Sequence, residues 1–81
     1  MNLEHWQVKL AYPHFAQRLE ERYGMIISLT EYGQLCRSPY ETIKHLSKHK
    51  KVVKIIIAET PVIAIKDKNR YKCLITVLPW N

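Results

Sequence analysis

The spacing of apolar positions changes period part-way along the chain. Between Pro13 and Tyr23 the apolar residues Phe15, Ala16, Leu19 and Tyr23 fall within a sector of about 100° on a helical wheel, which predicts one buried helix face. Proline in the first turn, where its missing N–H costs nothing, and Gly24 as a left-handed cap set the ends of that helix. Met25-Ile26-Ile27 connects it to Ser28 or Thr30, either of which can cap a second helix running to about Arg37, weakened by Gly33. Ser38-Pro39-Tyr40-Glu41 has the form of a capping box and predicts a third helix, Pro39 to about His49, with Tyr40, Ile43 and Leu46 inward and Lys44, Lys48 and Lys50 outward. Beyond Lys51 the pattern becomes short and rich in β-branched residues, predicting strands at Val52–Ala58, Val62–Lys66 and Tyr71–Leu78. Glu59-Thr60-Pro61 and Asp67-Lys68-Asn69-Arg70 are the expected hairpin turns. Residues 1–12 suit both a half-buried strand, through Trp6-Gln7-Val8-Lys9-Leu10, and a helical stripe of Leu3, Trp6 and Leu10; they are expected as an arm packing through Trp6.

These elements predict an α+β fold: two or three N-terminal helices packed on one face of a three- or four-stranded antiparallel meander. The 81 residues form one domain, divided into an arm (1–12), a helical part (13–50) and the meander (51–80). A chain of this size buries only about 60–65% of the surface its unfolded form exposes, so the helices must cover the sheet for it to be stable.

Charge adds a functional direction. Thirteen Lys and Arg against seven Asp and Glu give a net charge of +6, which favours anionic partners, nucleic acid foremost. The same surplus also serves plain solubility. The N-terminus has no secretion-signal pattern, so Cys36 and Cys73 are expected as reduced, buried thiols of a cytoplasmic protein. The apolar runs are too short to span a bilayer as helices, and no membrane partner is expected. His45 and His49 have a chelating i, i+4 spacing but no Glu between them, and the cysteines have no ligand spacing. No metal and no cofactor are expected.

Three constellations could carry chemistry. His14, Arg18 and Arg22, four apart, line one edge of the first helix and could supply an imidazole for proton transfer and two guanidinium forks for a phosphate; ion pairs with Glu21, Glu31 or Glu41 are the structural alternative. Thr76 is a hydroxyl within the apolar last strand, and strict alternation would place it on one face with Lys72, Leu74 and Leu78. The run His45 to Lys54 is the most basic of the chain, and with Lys72 it offers Lys44, His45, Lys48 and Lys51 as nucleic-acid contacts; cations complementing a helix end are the plainer reading.

The segments Pro13-His14-Phe15-Ala16-Gln17-Arg18-Leu19-Glu20-Glu21-Arg22-Tyr23-Gly24, Val62-Ile63-Ala64-Ile65-Lys66-Asp67 and Leu74-Ile75-Thr76-Val77-Leu78-Pro79 together resemble small phage and bacterial ribonucleases of the RelE/barnase/colicin-type group, over about two-thirds of the chain. The resemblance implies metal-independent endoribonuclease activity of a toxin-like kind. By position, His14 would match the helical general acid or base, Arg18 or Arg22 the phosphate-binding group, and Thr76 the hydroxyl ahead of the C-terminal proline. Lys66 departs from the pattern, standing where an aromatic often precedes the Asp, and the middle of the chain is unusually rich in lysine. The alternative expectation is a non-catalytic, phage-type binding or inhibitor protein that docks on an anionic host partner, nucleic acid or an acidic protein surface. RNA is the expected partner, with an antitoxin or host protein beside it, and a homodimer through the sheet edge as the oligomeric expectation.

Overall fold

A computed structural model describes residues 3–68 and 73–79, with side chains from residue 9 onward. The order is α1 (Leu3–Tyr23), α2 (Leu29–Arg37), β1 (Glu41–His45), β2 (Lys50–Ile57), β3 (Thr60–Asp67) and β4 (Leu74–Val77), and the strands form one antiparallel sheet in sequence order. The α+β meander under N-terminal helices is therefore the fold.

Helix α1 begins well before Pro13, so residues 3–12 are helical and not a separate arm. Pro13 is exposed, as is Lys9 one turn earlier, which puts the carbonyl that proline deprives of a partner on the solvent side. The turn before the proline is held from below: Ala11 and Tyr12 pack on the core, and the Tyr12 hydroxyl donates to the Ile27 carbonyl at 2.6 Å. Phe15 and Leu19 are fully buried as the wheel requires, and Gly24 ends the helix with φ of 68°. Ser28 caps α2 with a full capping box: its Oγ accepts from the Glu31 N–H at 3.1 Å, and Glu31 Oε1 accepts from the Ser28 N–H at 2.9 Å.

The expected third helix is instead the edge strand β1 and its turn. Ser38 stands before Pro39 with ψ of 159°, the extended conformation that proline imposes on its predecessor. Its N–H donates to Leu35 O at 3.2 Å and its hydroxyl to Gln34 O at 2.7 Å, so Ser-Pro stops α2 and does not start another helix. Tyr40, Thr42 and Ile43 favour strand, and β2 offers a free edge to pair with.

Strands β2 and β3 pair without a break from Lys50↔Asp67 to Ile57↔Thr60. The turn between them is the two-residue Ala58-Glu59, one position earlier than the sequence pattern places it, and both residues adopt positive φ (49° and 67°). Val53, Ile55, Val62, Ala64, Leu74 and Val77 form the sheet side of the core, with Phe15, Leu19, Ile27 and Tyr32 from the helical layer.

A bulge governs β4. Ala64 pairs with Val77, Ile65 with Thr76 and Lys66 with Leu74, which leaves Ile75 as the extra residue. Leu74 and Val77, three apart, therefore share the helix-facing side, and Thr76 is paired on the opposite face. The expected common face of Leu74 and Thr76 is lost to this single inserted residue. Tyr71 and Lys72 of the predicted strand, the turn residues Asn69 and Arg70, and Trp80 lie outside the described residues.

Candidate nucleic-acid interface

One rung of the sheet collects basic groups from three strands. His45 pairs with Lys51, Lys51 with Lys66, and Lys66 with Leu74. Paired residues share a face, and Leu74 is in the core, so the row runs along the helix side from the buried interior to the open edge. Lys66 is 2% exposed, Lys51 is half-buried and His45 is exposed.

Helix α2 stops at Arg37, and this is what makes room for the row. The Lys66 ammonium donates to the Cys36 carbonyl at 2.7 Å, taking a last-turn acceptor at the negative end of the α2 dipole. Lys51 donates to the Tyr40 hydroxyl at 2.7 Å. The two ammonium groups also lie 4.3 and 5.1 Å from the Tyr40 ring centroid, so one aromatic ring stabilises both cations. Directly opposed like charges are unfavourable across a sheet, and Tyr40 and Cys36 offset that repulsion locally. Burial lowers the pKa of Lys66, with the nearby Lys51 charge acting in the same direction and Cys36, Tyr40 and Cys73 acting against it.

Lys68 extends the cluster outward. Its ammonium is 3.1 Å from His45 Nδ1. Lysine has no acceptor, so Nδ1 accepts and the imidazole proton sits on Nε2, facing away from Lys68. The turn 46–49 is fixed beside it by Leu46 N–H and Ser47 N–H donating to Lys50 O at 2.9 and 3.1 Å and by Lys68 N–H donating to His49 O at 2.6 Å. Lys48 is exposed on this turn.

The other face carries a second, sparser set. Lys44 pairs with Val52, which pairs with Ile65, which pairs with Thr76. Lys54 on the same face forms an ion pair with Glu41 at 3.2 Å.

The sequence-predicted groups are thus divided. His45 and Lys51 stand together, with Lys48 on the adjoining turn, whereas Lys44 points to the opposite face; Lys72 lies outside the described residues. His14 is exposed on α1. Arg18 is paired with Glu21 at 2.8 Å, and the Arg22 guanidinium donates to the Val77 carbonyl. Thr76 faces away from all three, with the thickness of the sheet between. Lys66, Tyr40 and Lys68 are not among the site residues that the sequence predicts. Lys66 had a signal: it continues the inward parity of Val62 and Ala64. Tyr40 reads in the sequence as an inward residue of a third helix, and that helix does not form.

Beneath the row, Cys36 and Cys73 are free and buried, flanking Tyr32. Burial, then the neighbouring thiols, pushes the Tyr32 phenol well above its ordinary pKa, and burial does the same to Cys73.

No family model, curated protein or solved structure matches this chain. No helix among the described residues is long and apolar enough to cross a membrane.

Proposed function

We propose that this protein binds RNA, with the phosphate backbone lying on the outer, His45–Lys51 end of the row and across the Lys48–Lys68 margin. The observation that carries the reading is the row itself: two lysines, Lys51 and Lys66, paired directly across strands beside His45 and held by a tyrosine ring and a helix terminus. Such an array is unfavourable alone and gains from a polyanion, and it adds to the overall charge of +6. A cytoplasmic setting, in which the two free cysteines stay reduced, accords with this reading.

The test is binding of a short single-stranded RNA as a function of salt. Lys51→Ala should remove one phosphate contact, lowering the slope of log K against log salt by about 0.7 for a single strand. Unchanged affinity and slope in Lys51→Ala would sink the proposed surface.

Metal-independent endoribonuclease activity is a second reading of the same surface. What favours it is His45, an imidazole with a defined tautomer beside ammonium groups that could neutralise charge building on a phosphate. Of the arginines that share a helix edge with His14, the imidazole suggested by the ribonuclease resemblance, Arg18 is paired with Glu21 and Arg22 donates to the Val77 carbonyl. Incubation with RNA in EDTA, with fragment ends sequenced, separates the two: cleavage lost in His45→Ala and retained in His14→Ala supports the row, the reverse supports the helix stripe, and intact RNA throughout leaves binding without turnover.

A further inference from the structure

The two edges of the sheet are treated differently, and the difference identifies a protein-docking site that goes beyond the RNA reading. At β4 the helices occupy the edge: Tyr32 donates to Leu74 O, the Leu74 N–H donates to Cys36 Sγ at 3.4 Å, and Arg22 donates to Val77 O. Just past β4, Tyr23 donates to Leu78 O at 3.1 Å. At β1 all five residues are exposed, and among the described residues no side chain hydrogen-bonds its backbone. The backbone groups of β1 that β2 does not take are available to a further strand.

Three further observations define the occupant. Tyr40, Ile43 and Leu46, at 41%, 50% and 47% exposure, put apolar contacts along the β1 segment. A shallow groove of about 410 Å³ opens beside its start, lined by Pro39, Tyr40, Ile56 and the ion-paired Glu41 and Lys54, large enough to seat one apolar side chain. Around both runs a basic margin of Lys44, Lys48, Lys50, Lys51 and Lys68. A second copy of this chain would bring that margin against itself, and the like charge of the edge lysines guards against such self-pairing. An acidic strand meets the opposite condition.

We propose that β1 accepts an extended segment of a partner protein in which acidic and apolar residues alternate, adding a fifth strand to the sheet and seating one apolar side chain in the Pro39–Ile56 groove. Main-chain hydrogen bonds supply affinity, and the lysine margin selects the charge of the strand.

The probe is a short capped peptide alternating Glu and Val, titrated into the full chain while amide hydrogen exchange is followed by NMR. Slowed exchange within Thr42–His45, with about tenfold weaker binding of the Lys-Val counterpart and of an N-methylated Glu-Val peptide, is the expected result. Ile56→Asp, on an exposed site that leaves the backbone intact, should weaken the peptide about tenfold through the groove. Equal binding of the N-methylated peptide, no binding of the Glu-Val peptide, or concentration-dependent self-protection of β1 would each overturn the proposal, the last in favour of a homodimer. Protection of the same amides by a uridine oligonucleotide but not by the peptide would reassign the edge to RNA. Loss of RNA binding in Lys51→Ala bears only on the RNA reading.

Discussion

At one end of the sheet β4 lies beneath α1, with Leu74 and Val77 fully buried and their carbonyls taken by Tyr32 and Arg22; at the other end β1 is exposed along its whole length and pairs with β2 alone among the described strands. Both are short strands at the margin of the same sheet. The covered end holds the fold together, because burial and satisfied backbone groups coincide there. The open end adds little core and carries the basic groups, in keeping with the concentration of binding surface on the less stable parts of a domain. A protein this small cannot cover both ends with two helices, and the one left uncovered is the one able to meet a partner.

The largest test of this contrast is at Tyr32. Tyr32→Ala removes a fully buried aromatic side chain and should cost about 3–5 kcal/mol, enough to unfold much of a marginal domain at room temperature. Tyr32→Phe keeps the ring and leaves the Leu74 carbonyl without that donor, and should cost about 1–3 kcal/mol. Thr42→Ala on exposed β1 should stay within about 0.5 kcal/mol. Urea unfolding followed by far-UV circular dichroism checks all three, and equal costs at Tyr32 and Thr42 would dissolve the distinction between the ends.

That contrast was only half legible in the sequence. The wheel of Phe15 and Leu19, the Gly24 cap, the Ser28 cap and the central β2–β3 pair could be read because each rests on local periodicity or local backbone chemistry. Strand β1 was hidden because Ser38-Pro39 serves equally as a helix start and as a stop, and only the free edge of β2, a partner distant in sequence, decides between them. The orientation of Thr76 was hidden by the bulge at Ile75, since nothing in Leu74-Ile75-Thr76-Val77 marks an extra residue; the odd spacing of Leu74 and Val77 follows from how β3 and α1 receive them. Of the groups in the proposed interface, His45 and Lys51 could be found as part of a basic run, but their union with Lys66 on one face depends on register. The pairing of His14, Arg18 and Arg22 with Thr76 assumed an unbroken alternation that the chain does not keep.

Between these ends sits Lys66, a cation at the boundary of core and basic row, and its titration sharpens where that boundary lies. Burial lowers its pKa below the ordinary 10.5, so between the folded value and 10.5 the unfolded chain holds the proton more tightly. Stability from this group therefore rises as pH increases through that window and is lost as pH falls. Cys73 and Tyr32 act in the other direction, being raised above 9.0 and 10.0, so their contribution fades as pH climbs past those values. Subtracting a Lys66→Met variant isolates the lysine: the stability of the parent relative to the variant should grow as pH rises toward 10.5. A difference that does not change with pH would mean that Lys66 titrates like a surface lysine and belongs to the open end.

The smallest effect lies on neither edge but in the turn joining the two central strands. Ala58 and Glu59 both hold positive φ, a conformation that a two-residue hairpin demands and that side chains with a Cβ resist. Pairing on either side, from Ile57↔Thr60 inward, enforces it, and both turn residues are exposed, so no contact of their side chains requires Ala or Glu there. Glu59→Gly should then stabilise the fold by about 0.5–1 kcal/mol, relief of the left-handed strain exceeding the added freedom of glycine in the unfolded chain. The gain should appear as a shift in the unfolding midpoint with an unchanged denaturant slope, and with no change in RNA binding, because the turn lies at the opposite end of β2 from the basic row. A loss of stability in Glu59→Gly would show that the strain is compensated by a contact of the glutamate, and a loss of binding would show that the two ends of β2 are coupled through the sheet.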